Sequence, residues 1–405
     1  MGGSTGAAPA RVHVPALDGA RGLAVLLVMS GHTWRAPSTG VPERAGASLV
    51  TVGWSGVELF FVLSGFLITG ILLDAKGTER YFRNFYLRRV LRILPLYYAL
   101  LAAAFVGAAL LPHLIGRLLG SANGEHLWYL FHLSNFAMAG RGQFAPAPLG
   151  VTWSLAVEEQ FYLVWPFVVL ALPGRWLLRL CLALVVASTL WRLVLLGAHV
   201  DAVTVYLVTP SQVGGLAIGG ALAVALRGPG GLQPLLPWAR WMLVLGPALV
   251  AAIGLAAAPG GFSFDPARPL AVGPGMLVVQ LTAAALVVAA LSGTLLPSCM
   301  RLLEGRVMRA LGRWSFAMYL FHTPLVLVLF ALSQRHGWPS LLGSMLPAQL
   351  AFTAVCVGAT TALAALSWRF FEQPVMRLKR LFPMGEPSRR LPAPAEPLED
   401  VGAAA

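Results

Sequence analysis

Ten stretches of the chain are long and apolar enough to read as helices crossing a bilayer. They run roughly over 17–35, 54–73, 90–111, 153–172, 176–196, 203–226, 238–257, 270–292, 310–332 and 347–368. A spanning helix needs about 20 mostly apolar residues, and each stretch meets that length. The segment HLWYLFHLSNFAMA at 126–139 is too short and too polar to span, and reads as an interfacial or re-entrant piece. The pattern therefore predicts an all-α, polytopic membrane domain over residues 13–381 with about ten transmembrane helices. A Gly/Ala/Pro-rich stretch at 1–12 and a Pro-rich, charged tail at 382–405 are expected to be disordered. No internal repeat and no soluble domain are visible. Arg11 and Arg21 ahead of LAVLLVM give the first segment a signal-peptide look. A small-x-small cleavage site is not well placed, so it reads as a retained helix.

Composition narrows the class further. Hydrophobic residues make up 58% of the chain and charged residues only 11%, against about 25% charged in a soluble domain. So few charges cannot cover a water-facing surface, which excludes a soluble enzyme and a disordered protein. The net charge of +13 would suit a nucleic-acid binder. The basic residues instead fall between apolar runs, where they orient membrane segments. With the N-terminus inside, all but seven of the 29 Lys and Arg collect on the cytoplasmic side, the seven being Arg35, Arg44, Arg117, Arg141, Arg192, Arg268 and Arg335. An even number of spans returns the C-terminus to the cytoplasm. The expected location is the bacterial cytoplasmic (inner) membrane, crossed many times. Arginine far outnumbers lysine and alanine is abundant, as in a GC-rich bacterial genome. Cys181, Cys299 and Cys356 are far apart and form no CxxC pair, so they read as small apolar packers, and no metal site is expected.

Ionisable residues inside apolar spans cost several kcal/mol and are functional candidates by default. Here they are Asp18, Arg21, His32, Glu58, Glu158, Glu159 and His322. Arg21 and His32 are eleven residues apart, which at about 100° per residue returns them to one helix face, about 16 Å apart along the axis. Ser315, Tyr319 and His322 also share a face. A polar cavity lined by two imidazoles and several carboxylates is expected in the middle-to-outer part of the bundle. A second cluster is basic: RYFRNFYLRRVLRILP places Arg88, Arg89 and Arg92 around one turn. Three guanidinium forks there suit phosphate oxygens, or equally the anionic headgroups of lipid. Gly214, Gly215, Gly219 and Gly220 read as close helix packing. Asp18 reads as a partner of Arg21, and Glu372 as a pair or cap at the last helix end.

Several segments in this order resemble the membrane acyltransferase-3 family of bacterial O-acyltransferases, over most of residues 14–380. They are LDGARGLAVLLVMSGH, with Arg21 and His32 as R-x10-H; GVELFFVLSGFLITGIL; FYLRRVLRILPLYY, with RxxR at Arg89 and Arg92; WSLAVEEQFYLVWP; SFAMYLFHTPL; and FEQP. Where the family commonly has Asp before LFF, this chain has Glu58. No serine-hydrolase-like domain follows the last helix, so the family variant that passes acyl groups onward through such a domain is not expected here. The resemblance implies transfer of an acyl group, acetyl first among them, from acyl-CoA to a hydroxyl of a sugar or other polyol. It also implies an essential His32 and a CoA-binding role for the RxxR arginines.

The residue chemistry is consistent with these roles. A neutral imidazole can take the proton of an alcohol as it attacks a thioester, which makes His32 the expected general base. Glu158 or Glu159 is expected to orient the ring, as a buried carboxylate does in a triad. Arg21, Arg88, Arg89 and Arg92 are expected to hold the CoA phosphates. Asp18, Glu58, Ser154, Tyr319 and His322 complete the candidate substrate pocket; no oxyanion donor is identifiable, Ser64 or backbone groups near Gly65 being guesses. A covalent route through His32 or Ser154 is the minor alternative. The acceptor is a hydroxylated glycan or a macrolide-type natural product, and the other partner is the bilayer; no nucleic acid is expected. A proton-coupled transporter or flippase is the competing function, since ten helices with buried carboxylates would serve one equally well. Against it stands the lack of visible repeats and of paired, interrupted helices.

Overall fold

The computed structural model describes residues 14–37, 40–110, 125–258, 261–334 and 338–383. The segment expected to be disordered at 1–12 and the tail beyond 383 lie outside the described residues. Residues 382 and 383, assigned to that tail from sequence, are held in place. Asn84 Nδ2 donates to the Pro383 carbonyl at 2.5 Å, and Arg88 to the Phe382 carbonyl at 3.0 Å. The basic segment before the third span thus offers donors to carbonyls that a free tail would leave to water.

Every expected span is helical, and among the described residues there is no β-strand. The helices are α1 (Pro15–Thr33), α2 (Val41–Val50), α3 (Ser55–Asp74), α4 (Tyr81–Leu110), α5 (His126–Leu130), α6 (Ser134–Ala139), α7 (Thr152–Ala171) and α8 (Gly174–Gly197). They continue as α9 (Ala202–Leu207), α10 (Thr209–Ala225), α11 (Leu236–Ala256), α12 (Met276–Ser292), α13 (Pro297–Leu303), α14 (Arg306–Ser333), α15 (Leu346–Ser367) and α16 (Gln373–Arg377). The polar piece at 126–139 forms the two short helices α5 and α6 and does not span. Eight helices among the described residues are long and apolar enough to cross a membrane. The first and sixth expected spans fall short of that standard. Asp18, Arg21 and His32 dilute the apolar run of α1, and the sixth span is broken.

That break corrects the expectation of one continuous helix over 203–226. Val208 is extended (φ −78°, ψ 141°) between α9 and α10, and Pro210 opens the first turn of α10. Proline has no N–H to continue the preceding helix. A break inside the bundle frees carbonyls that water cannot reach, and they need donors. Gln212 supplies one, donating to the Tyr206 carbonyl at 2.6 Å, and Asn135 another, donating to the Leu207 carbonyl at 3.2 Å. Arg192, counted from sequence on the outer side, is fully buried on α8 and donates to the Ser211 carbonyl in the first turn of α10 at 2.7 Å.

Layering follows burial. α3 and α12 form the centre, while α8, α11 and α15 turn mostly outward. Their outward faces carry Leu182, Val186, Val194, Trp241, Val244 and Val355, which suits lipid contact. Small residues let the central helices close. A Cβ on Gly312 of α14 would collide with the Asp18 carbonyl of α1, and one on Gly22 with the Met308 carbonyl. A Cβ on Gly219 of α10 would strike the Val62 carbonyl of α3, so the glycine stripe read from sequence is a packing seam. The seam between α1 and α14 fixes where their histidines meet.

Candidate active site

His32 lies one residue before the last of α1, and His322 sits mid-way along α14. The close approach of the two helices brings their rings together edge to face, with centroids 4.9 Å apart. His322 is fully buried, whereas His32 is partly open. His32 Nδ1 stands 2.8 Å from the Val28 carbonyl one turn back. A carbonyl only accepts, so Nδ1 carries the hydrogen and Nε2 keeps its lone pair. His322 repeats this arrangement, with Nδ1 at 2.8 Å from the Tyr319 carbonyl.

Three cavities follow one another along α1. The first, of about 230 Å³, is lined by Arg21, Arg88, Arg89, Arg92 and Lys379 together with apolar side chains. The second, of about 80 Å³, shares Arg21, Arg89 and Arg92 with the first and adds Ser64, Ser154, Glu158, Tyr162, Ser315 and Tyr319. The third is the largest, about 500 Å³. It holds His32 and Arg35 with Trp34, Trp54, Trp153 and Tyr206, and shares Val57 and Tyr319 with the second. One face of α1 thus runs from a cationic end at Arg21 to the imidazole of His32.

The structure gathers the four predicted arginines at one end of this series. Arg88 also donates to the Lys379 carbonyl at 3.2 Å, and Arg89 lies over the Tyr162 ring at 4.7 Å from its centroid. Glu158 faces Arg21 and Arg89 in the second cavity, with Ser64 and Tyr162 as hydrogen-bonding neighbours. Ser154 Oγ and the Tyr319 hydroxyl meet at 2.5 Å in the same cavity.

Other predicted residues are placed elsewhere. The carboxylate expected to orient His32 is not beside it; the Val28 carbonyl does that work. Glu159 is one residue from Glu158, hence about 100° round the helix. Its electrostatic neighbours include Tyr97 and Tyr98, and it lines none of the three cavities. Glu58 also lines none. It is fully buried behind Tyr206, accepts from Gln280 Nε2 at 2.7 Å, and has Arg192 as its charged neighbour. Asp18 is an electrostatic neighbour of Arg21 outside the cavities. Sequence reasoning misses Lys379, which is nearly 290 residues from Arg92. Only its place in the basic run after the last span hints at it. Arg35 has the sequence signature of a loop charge, and the aromatic wall of the third cavity has no local signal.

A family model described as an acyltransferase domain matches residues 14–368. A Bacillus subtilis protein named "Putative peptidoglycan O-acetyltransferase YrhL" is 31% identical over 392 residues, covering 90% of this chain and 55% of the relative. The peptidoglycan O-acetyltransferase OatA of Listeria monocytogenes is 28% identical over 392 residues, covering 91% of this chain and 56% of the relative. The chain thus spans about half the length of the curated relatives it matches. No solved structure matches it.

Proposed function

This chain belongs to the membrane acyltransferase-3 family, and on that premise we propose that it moves an acetyl group from acetyl-CoA to a hydroxyl of a cell-wall-type glycan. The observation that carries the proposal is the series of three cavities beside α1, cationic at one end and histidine-lined at the other. The positive-inside bias supports a cytoplasmic position for the arginines, where CoA thioesters are found. Arg21, Arg88, Arg89, Arg92 and Lys379 would hold the CoA phosphates there. The acyl end would extend through the second cavity toward the third.

The acceptor would enter the third cavity from the outer side. A cavity of about 500 Å³ is within the usual range for a small-molecule site. Its aromatic walls and few polar groups suit a sugar ring, and the names of the relatives favour a peptidoglycan-like glycan over a macrolide. His32 Nε2 would take the hydroxyl proton as the oxygen attacks the thioester. The Val28 carbonyl and the C-terminal end of α1 would stabilise the imidazolium so formed.

The test is thiol release from acetyl-CoA by the purified protein in lipid nanodiscs, with chitotetraose as acceptor. The unaltered protein is expected to release thiol in proportion to ester formed. His32→Ala should lose at least about 10²-fold of this while still inserting and binding acetyl-CoA. A fully active His32→Ala enzyme would overturn the mechanism.

One observation favours the competing carrier: the interrupted sixth span beside the buried Glu58, a device that carriers use at their binding sites. The same experiment separates the two functions, since a carrier consumes no thioester.

A further inference from the structure

Acyl transfer from acetyl-CoA to a glycan, the reading on which this inference rests, needs the thioester carbonyl where two spaces meet. Its sulfur must lead back to the arginines, and its carbon must be open to a hydroxyl beside His32. Val57 and Tyr319 are the described residues that line both the second and the third cavity. Val57 is apolar, so Tyr319 alone brings a hydrogen-bond donor to the junction.

The ring of Tyr319 is held in place and its hydroxyl is hydrogen-bonded to Ser154. Ser154 is also within reach of the Val151 carbonyl at 3.2 Å, and when it donates there Tyr319 is the donor in the 2.5 Å contact. The ring is 6% exposed and wedged between Phe60, at 6.0 Å between centroids, and His322, at 5.8 Å. Packing holds the phenol oxygen in place, so rotation of the O–H away from Ser154 is the reorganisation that remains when charge develops.

We propose that Tyr319 is the oxyanion donor of the acyl transfer. The acceptor oxygen bonds to the thioester carbonyl carbon while its proton passes to His32 Nε2. The π pair of the carbonyl moves onto its oxygen, and the Tyr319 O–H turns from Ser154 to that oxygen. Collapse re-forms the C=O bond and breaks the C–S bond. The departing thiolate takes the proton from His32, leaving ester, CoA thiol and the starting enzyme. No further reactant is required.

Tyr319→Phe keeps the ring and removes only the hydroxyl. In the nanodisc assay its kcat should fall about 10²–10³-fold, the usual cost of one oxyanion donor. Its KM for acetyl-CoA and for chitotetraose, and its melting temperature, should stay close to those of the unaltered protein. A Tyr319→Phe enzyme with undiminished kcat overturns the assignment. So does one whose loss lies wholly in a raised KM, since that marks ground-state seating. Failure of the unaltered protein to release thiol, or full activity in His32→Ala, overturns the transfer reaction itself. Those results are distinct from retained activity in Tyr319→Phe alone.

Discussion

A helical histidine that donates Nδ1–H to the carbonyl one turn back has its tautomer and ring orientation fixed. His32 in α1 donates Nδ1–H in this way to Val28. In the proposed reaction that bond would stand in for the carboxylate of a triad. The arginine end works by a different chemistry, in which geometry matters as well as charge. Arg92 lines both the first and second cavities. Arg92→Lys keeps the charge and removes the fork that grips phosphate oxygens in pairs. Loss of one charge-assisted hydrogen bond of about 1.5 kcal/mol should raise KM for acetyl-CoA roughly tenfold. kcat should change much less, as initial rates against acetyl-CoA concentration would reveal. An equal fall in kcat with KM unchanged would place Arg92 at the reacting atoms instead. Both ends are legible in sequence because R-x10-H and RRVLR set their spacing within one helix each. Lys379 and the aromatic wall are not, since their neighbours come from distant segments and no local pattern encodes them.

At the scale of single helices, length and apolarity predict where spans lie, and fail where a span is interrupted. The run through 203–226 is continuous in hydropathy. Its TPSQ sequence at 209–212 holds the signal for a break: a proline in the first turn, with polar side chains able to satisfy freed backbone groups. A distant partner of the freed carbonyls is Asn135, and the first turn of α10 also accepts from Arg192 on α8, which resembles a loop residue in sequence because it stands near the end of its span. Arg192 also faces Glu58 on α3. Removing one of two buried charged neighbours leaves the other less well compensated, which destabilises the fold. Arg192→Met should therefore destabilise strongly. Glu58→Leu combined with Arg192→Met should cost less than the sum of the two single changes, by roughly 1 kcal/mol or more. Reversible unfolding of the four proteins in detergent would measure the coupling. Strict additivity would mean that the two side chains act independently and that Arg192 serves the broken helix alone.

Across the whole molecule, α1 links chemistry that a bilayer keeps apart. Its glycine seam against α14 sets the two histidines in contact, and its opposite end joins the arginine cluster of α4. Neither CoA nor an oligosaccharide crosses lipid unaided, because their charges and hydroxyls are too costly to bury. The order of the cavities therefore predicts which combinations of compartments will react. In sealed proteoliposomes with acetyl-CoA outside and chitotetraose inside, acetylated sugar should accumulate in the lumen. With both substrates outside and none inside, no product should form, whichever way individual molecules are inserted. A protein facing inward would then lack access to the donor, and one facing outward would lack access to the acceptor. Product in the same-side arrangement would mean that donor and acceptor share one entrance, and that Tyr319 divides no path between them.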